Sequence, residues 1–141
     1  MIQYRLLPYP FLETFFLRQG GDGSAPKTEA GAFSAADFNT AGNWTTALAA
    51  NDDKIGPRDR VVVLDYDGII TTTLVVQASG LDAGRPITIQ GRGFAEVDEP
   101  VNQNGKVFIV IEGLAYPGAL QLEDGSGNII LEDGTGAIRR E

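Results

Sequence analysis

The second half of the chain alternates short runs of β-branched residues with glycine-containing turns. The runs rich in Val, Ile and Thr are 60–64, 69–77, 86–90 and 106–112. Pairs such as Asp67-Gly68 and Asn104-Gly105 separate them, and such pairs favour tight turns between strands. No helix-length apolar pattern follows residue 51. The pattern therefore predicts strands throughout the second half and a mainly β fold.

The first residues predict an extended arm over 1–13. Pro8 and Pro10 flank a single tyrosine, and prolines so placed disfavour a helix. The arm is rich in apolar and aromatic side chains, which need a partner surface. We expect the arm to dock on a neighbouring molecule. The predicted assembly contacts are Tyr4, Leu7, Tyr9, Phe11 and Phe15.

Residues 14–51 combine one strand with two predicted helix starts. A strand is expected over 14–18, followed by a glycine-rich turn over 20–26. Ser34 can cap a short helix because Asp37 stands three positions later. Asn43 can cap a second helix that carries Trp44 and ends near residue 51. Together these helices predict a helical cap near 34–51.

Four segments carry a resemblance to a known family. They are NWTTAL at 43–48, IGPRDRVVVL at 55–64, TLVVQASG at 73–80 and GRPITIQG at 84–91. This order resembles the start of the right-handed parallel β-helices of the pectate-lyase-like superfamily. The resemblance implies a short right-handed parallel β-helix domain over 14–113, closed at one end by the helical cap. Alternate apolar residues of its strands would share one core, namely Val62, Leu64, Leu74, Val76, Ile87 and Ile89.

The resemblance does not transfer an active site. Lyases of this class place their bases and metal-binding carboxylates on later coils, and this chain ends 50 residues after Gly91. We therefore assign no catalytic residue.

The last segment, 114–141, contains a repeat of nine residues. LEDGSG at 122–127 recurs as LEDGTG at 131–136, and Asp-Gly pairs favour β-hairpins. An alternative is a calcium-binding nonapeptide roll, although the double glycine of that repeat is missing. The paired acidic residues at 123–124 and 132–133 could also bind a cation weakly. The repeat resembles short tandem tracts in tailed-phage virion proteins.

Composition removes many enzyme mechanisms. The 141 residues include no Cys and no His, which excludes disulfides, thiol nucleophiles, imidazole metal ligands and Ser-His-Asp triads. The net charge is −8, and residues 61–141 carry 12 acidic against 5 basic groups. Such a surface repels nucleic-acid phosphates. No segment has the ~18–20 continuous apolar residues of a membrane span.

One carboxylate pair remains as a candidate for chemistry. Asp65 and Asp67 stand two positions apart and could share general acid and base roles or coordinate a cation. Because Asp67 precedes Gly68, a turn is the preferred interpretation.

The sequence predicts a non-enzymatic structural virion protein of a tailed phage or phage-like particle. It would be a decoration, head-fibre or tail-spike-base component that is assembled in the host cytoplasm and located in the virion. Its partners would be copies of itself, with a trimer favoured, a capsid or tail protein of the same particle, and a host-surface glycan. No nucleic acid, membrane span, metal or cofactor is expected. The alternative is a polysaccharide-binding or polysaccharide-lyase-like protein.

Overall fold

The computed structural model describes residues 11–50 and 52–116 and has a mainly β fold. Its strands are β1 (Thr14–Leu17), β2 (Arg60–Val63), β3 (Ile87–Gly91) and β4 (Ile109–Glu112). They form one sheet in which neighbours are parallel and the spatial order follows the chain order. Parallel neighbours require a crossover between them. Each connection therefore leaves the carboxyl end of one strand and returns to the end of the sheet where the next strand begins.

Parallel bridges outside the sheet join positions at spacings close to those found inside it. Residues of β2 pair with residues of β3 that lie 28 positions later. Away from the sheet, Ile70 pairs with Val97 and Val75 with Asn102, both 27 positions apart. The next spacing is 22 positions between β3 and β4, and 19 positions from Glu96 to its partner. Successive crossovers therefore run beside one another as well as successive strands.

The inward-facing side chains of the sheet form the main core. The fully buried apolar strand residues are Phe15, Leu17, Val61, Val63, Ile87 and Ile89. Phe15 pairs with Val61, which pairs in turn with Ile89. Burial of each such side chain contributes about 1.5–3 kcal/mol. The main core is therefore a row of apolar side chains that crosses the strands.

The face of β2 that points into the main core is the opposite of the predicted one. Val61 and Val63 belong to the main core, whereas Val62 and Leu64 pack with Ala32 in a second, smaller cluster. Both faces of β2 are buried, since the segment containing Ala32 covers the outer face. Continuous valines gave no alternation from which the inner face could be chosen. The other predicted core residues, Leu74, Val76, Ile87 and Ile89, do lie in the main core.

The predicted helix cap at Ser34 is confirmed. Helix α1 spans Ala35–Phe38, and the Ser34 hydroxyl accepts a hydrogen bond from the backbone N–H of Asp37. The Asp37 carboxylate accepts a hydrogen bond from the Ser34 backbone N–H at 2.9 Å. This reciprocal pair is a capping box.

The second predicted helix, from Asn43, is wrong. A 3₁₀ turn spans Ala41–Asn43, and Trp44 is extended, with φ −126° and ψ 157°. Trp44 forms a parallel bridge with Ile55, and its indole Nε1 donates to the Phe38 carbonyl at 2.6 Å. The Asn43 side chain donates to the Asp37 carbonyl instead of capping a helix. Tertiary contacts of the indole and of the backbone therefore override the local sequence preference for a helix starting at Asn43.

The predicted strand over 69–77 is present only as isolated bridges. An asparagine side chain takes the place of a neighbouring strand there. The Asn39 Oδ1 accepts from the Val75 backbone N–H at 2.7 Å, and its Nδ2 donates to the Thr73 carbonyl at 2.9 Å. The other four strand predictions are confirmed within a few residues. Within 11–50 and 52–116, no helix is long and apolar enough to cross a membrane.

Candidate functional site

The outermost described strand, β4, presents exposed apolar side chains. Ile111 lies on β4 and is 37% exposed, whereas Ile89, its partner on β3, is fully buried. Just before β4, Val107 and Phe108 are 56% and 44% exposed. Leu81 is also exposed and follows Gly80, whose N–H donates to the Val107 carbonyl at 3.0 Å. We call Leu81, Val107, Phe108 and Ile111 the apolar edge surface.

A groove continues the apolar edge surface beside Ile111. Its volume is about 300 Å³, and its lining includes Pro100, Val101, Leu114 and Tyr116. β4 pairs with β3 on one side only among the described residues. Within the described residues, its second edge therefore offers backbone hydrogen-bonding groups next to apolar side chains, the combination with which one strand recruits another.

The predicted assembly contacts fall in three places. Tyr4, Leu7 and Tyr9 lie outside the described residues. Phe11 is half-buried, and the Arg60 guanidinium carbon lies 4.8 Å from its ring centroid. Phe15 is fully buried and its ring stacks on a neighbouring phenylalanine ring. The Phe15 side chain thus serves the core of its own chain, and we do not include it in a contact surface.

The acidic pair Asp65 and Asp67 is occupied by structural contacts. Asp67 accepts hydrogen bonds from the Arg18 guanidinium and from the Gly20 backbone N–H. Asp65 accepts from the Phe94 backbone N–H at 3.1 Å. Both carboxylates therefore hold loops together, which favours the turn interpretation over acid–base chemistry.

A carboxylate cluster that the sequence analysis did not identify lies at the start of the sheet. Glu13 precedes β1 and Asp59 precedes β2, and the pairing of Thr14 with Arg60 places the two acids side by side. With Asp52 they contribute one oxygen each, and these oxygens all lie within 4.8 Å of one another. Only the strand register brings these positions together, so no spacing along the chain could have revealed the cluster.

Burial and charge act strongly on this cluster. Asp59 is 1% exposed. Burial, aided by the charges of Glu13 and Asp52, raises the pKa of Asp59 to about 7. The Lys27 Nζ donates to Glu13 Oε2 and to the Asp52 carbonyl, both at 2.9 Å. The Glu13 hydrogen bond raises the Lys27 pKa, so the ammonium stays charged.

A cleft of about 320 Å³, lined by both polar and apolar side chains, lies on the outer face of the sheet. At its floor, the Arg60 Nε donates to Thr14 Oγ1 at 3.0 Å and its Nη1 to Gln90 Oε1 at 3.3 Å. At its rim, Arg92 donates two hydrogen bonds to the Glu29 carboxylate at 2.7 and 3.1 Å. This pair lowers the pKa of Glu29. The cleft thus presents planar guanidinium and amide donors, a chemistry suited to hydroxyl and carboxylate ligands.

Comparison with known proteins adds no relative: no family model, curated protein or solved structure matches this chain.

Proposed function

We propose that the chain is a non-enzymatic structural protein of a tailed phage or phage-like particle, acting through assembly contacts. The observation that carries the proposal is the apolar edge surface along β4. A second copy of the chain is the partner we assign to it, with a closed trimer as the favoured product. Closed symmetry covers such edges without leaving an open filament.

Apolar burial favours contact between copies at this surface. The chain carries a net charge of −8, so approach between copies is repulsive over most of the surface. The apolar edge surface consists of uncharged side chains only, Leu81, Val107, Phe108 and Ile111. Removing such side chains from water contributes roughly 25 cal/mol of favourable free energy for each Å² of apolar surface buried. Association at this place therefore opposes the repulsion with the burial of apolar side chains.

We infer further that the strands are coils of a short right-handed β-helix. The chain-ordered parallel sheet and the repeated spacing of the bridges support this architecture. Parallel crossovers in one sheet are right-handed in about 98% of cases. The placement in a virion, and the capsid or tail protein as a second partner, rest on the resemblance of the repeat over 122–136 to phage tracts.

The test is the solution mass, measured by size-exclusion chromatography with light scattering over a range of concentrations. We expect a trimer or higher ring for the unaltered chain. The variant Phe108→Asn should dissociate it. Phe108 has φ of 57°, a conformation that asparagine tolerates, so the variant removes the ring without straining the backbone.

The matched control is Phe94→Ser. Phe94 is 91% exposed and follows the carboxyl end of β3, whereas Phe108 precedes the amino end of β4. The control should leave the mass unchanged. A monomer at every concentration, or equal dissociation by both variants, would refute assembly through the apolar edge surface.

A second candidate function, binding of an acidic polysaccharide, is favoured by the outer cleft. The Arg60 guanidinium at its floor can recognise a sugar carboxylate. Titration calorimetry with oligogalacturonate tests it: the unaltered chain should bind and Arg60→Gln should bind at least about tenfold more weakly. Absence of heat across the titration would remove this candidate. Unsaturated products, detected by ultraviolet absorbance, would extend it to a lyase.

A further inference from the structure

One residue of the carboxylate cluster, Asp59, has a buried oxygen that no described group satisfies. The Asp59 Oδ2 accepts a hydrogen bond from the Gly56 backbone N–H at 2.9 Å. Its Oδ1 is buried and has no hydrogen-bond partner among the described residues. A buried carboxylate oxygen without a partner costs free energy, and protein structures satisfy nearly all such groups through hydrogen bonds, water or ions.

The neighbouring charges leave room for a divalent cation. The cluster holds three carboxylates, from Glu13, Asp52 and Asp59, and the Lys27 ammonium donates to that of Glu13. The formal local charge is therefore still negative when Lys27 is paired. Lys27 also lies 3.5 Å from the Asp53 carboxylate, which provides a second partner outside the cluster.

The chemistry of the ligands indicates which cation fits. The three carboxylate oxygens lie within 4.8 Å of one another. Ca²⁺ binds oxygen at about 2.4 Å, so one ion reaches two oxygens that lie up to about 4.8 Å apart. Ca²⁺ also accepts flexible sets of carboxylate oxygens, whereas Mg²⁺ demands near-ideal octahedral geometry. The ligand set therefore favours Ca²⁺.

We propose that Glu13, Asp52 and Asp59 bind one Ca²⁺ ion. The ion would receive the unsatisfied Asp59 oxygen and join the start of β1 to the start of β2. Asp52, which is half-buried, lies beside these two acids, so water can complete the coordination. This site is independent of the apolar edge surface and of the assembly proposed above.

The test is titration calorimetry of the full chain with CaCl₂ after dialysis against chelator. We expect one Ca²⁺ per chain and a higher melting temperature with Ca²⁺ than with chelator. Asp59→Asn keeps the side-chain oxygen that accepts from Gly56 but removes the charge. It should weaken binding about tenfold or more, since affinity follows the number of charged ligands. Circular dichroism establishes that the variant is folded, and Asp52→Asn provides the same test at a half-buried position.

Two further variants separate this site from other sources of binding. Lys27→Gln removes the competing ammonium and should strengthen Ca²⁺ binding, opposite to the effect of Asp59→Asn. The double variant Glu132→Gln with Asp133→Asn alters the acidic repeat and should leave the titration unchanged. Absence of Ca²⁺ binding, or binding lost with the repeat and retained in Asp59→Asn, would overturn the proposal.

Discussion

Ile89 and Ile111 offer a direct test of where the core ends. They are register partners on β3 and β4, yet Ile89 is fully buried and Ile111 is 37% exposed. Substitution of a fully buried isoleucine by alanine costs about 2–5 kcal/mol, because apolar contacts are lost and a cavity remains. If the loss of unfolding free energy scales with the buried fraction of the side chain, Ile111→Ala should cost roughly two thirds as much as Ile89→Ala, about 1–3 kcal/mol.

The assay is urea unfolding followed by fluorescence of Trp44, the single tryptophan, which is buried at 5% exposure. Measurements at low and high protein concentration separate folding from association. At low concentration we expect the larger loss for Ile89→Ala. At high concentration the Ile111→Ala loss should grow, because the unaltered chain gains stability by associating. Equal losses for both variants at every concentration would show that Ile111 is covered within its own chain and would refute the reasoning.

Three further outcomes follow from local geometry. Ser34→Ala removes the capping hydroxyl and should lower the free energy of unfolding by about 1 kcal/mol, measured by urea unfolding. Gly91→Ala would place a Cβ 2.2 Å from the carbonyl oxygen of the glycine after β4 and should cost about 1–3 kcal/mol, whereas Gly42→Ala, with nothing within 4 Å, should cost much less in the same assay. The Glu29 carboxyl should titrate below its ordinary pKa by carbon NMR, because Arg92 donates to its ionised form. Its stabilising contribution is therefore present above the unfolded-state pKa and lost as the pH falls, and Arg92→Gln should return the titration to the ordinary range.

The strands could be predicted from the sequence because β-branched runs and turn pairs are local signals. Asn104 and Gly105 adopt φ of 56° and 71°, as a tight turn of that pair requires. The inner face of β2 could not be predicted in the same way. Alternation identifies a face only where one side contacts water, and Val62 is covered by a segment some 30 residues away in the chain.

Trp44 and the carboxylate cluster depend on distant contacts of a different kind. Trp44 stands in a pattern that favours a helix, yet its ring packs edge-on against Phe38 with centroids 4.9 Å apart. The backbone groups on either side of it, of Asn43 and Thr45, bond to Ile55. Glu13 and Asp59 are 46 positions apart and meet only because β1 and β2 pair in one particular register. The strand register is set by the whole sheet, so it cannot be predicted from the residues around Glu13 or around Asp59 alone.

The chain-ordered sheet also determines how the molecule loses structure. Each strand contacts only the strands before and after it, so cooperativity is transmitted from neighbour to neighbour, as in repeat proteins. β2 and β3 each have two partner strands, whereas β4 has one within the described residues. Amide hydrogens of β2 and β3 should exchange with solvent slowly, through near-complete unfolding, and those of β4 faster, through fraying of this outermost described strand. The surface proposed for assembly is thus also the place where structure is lost first, and a bound partner would slow exchange there before it affects any other strand.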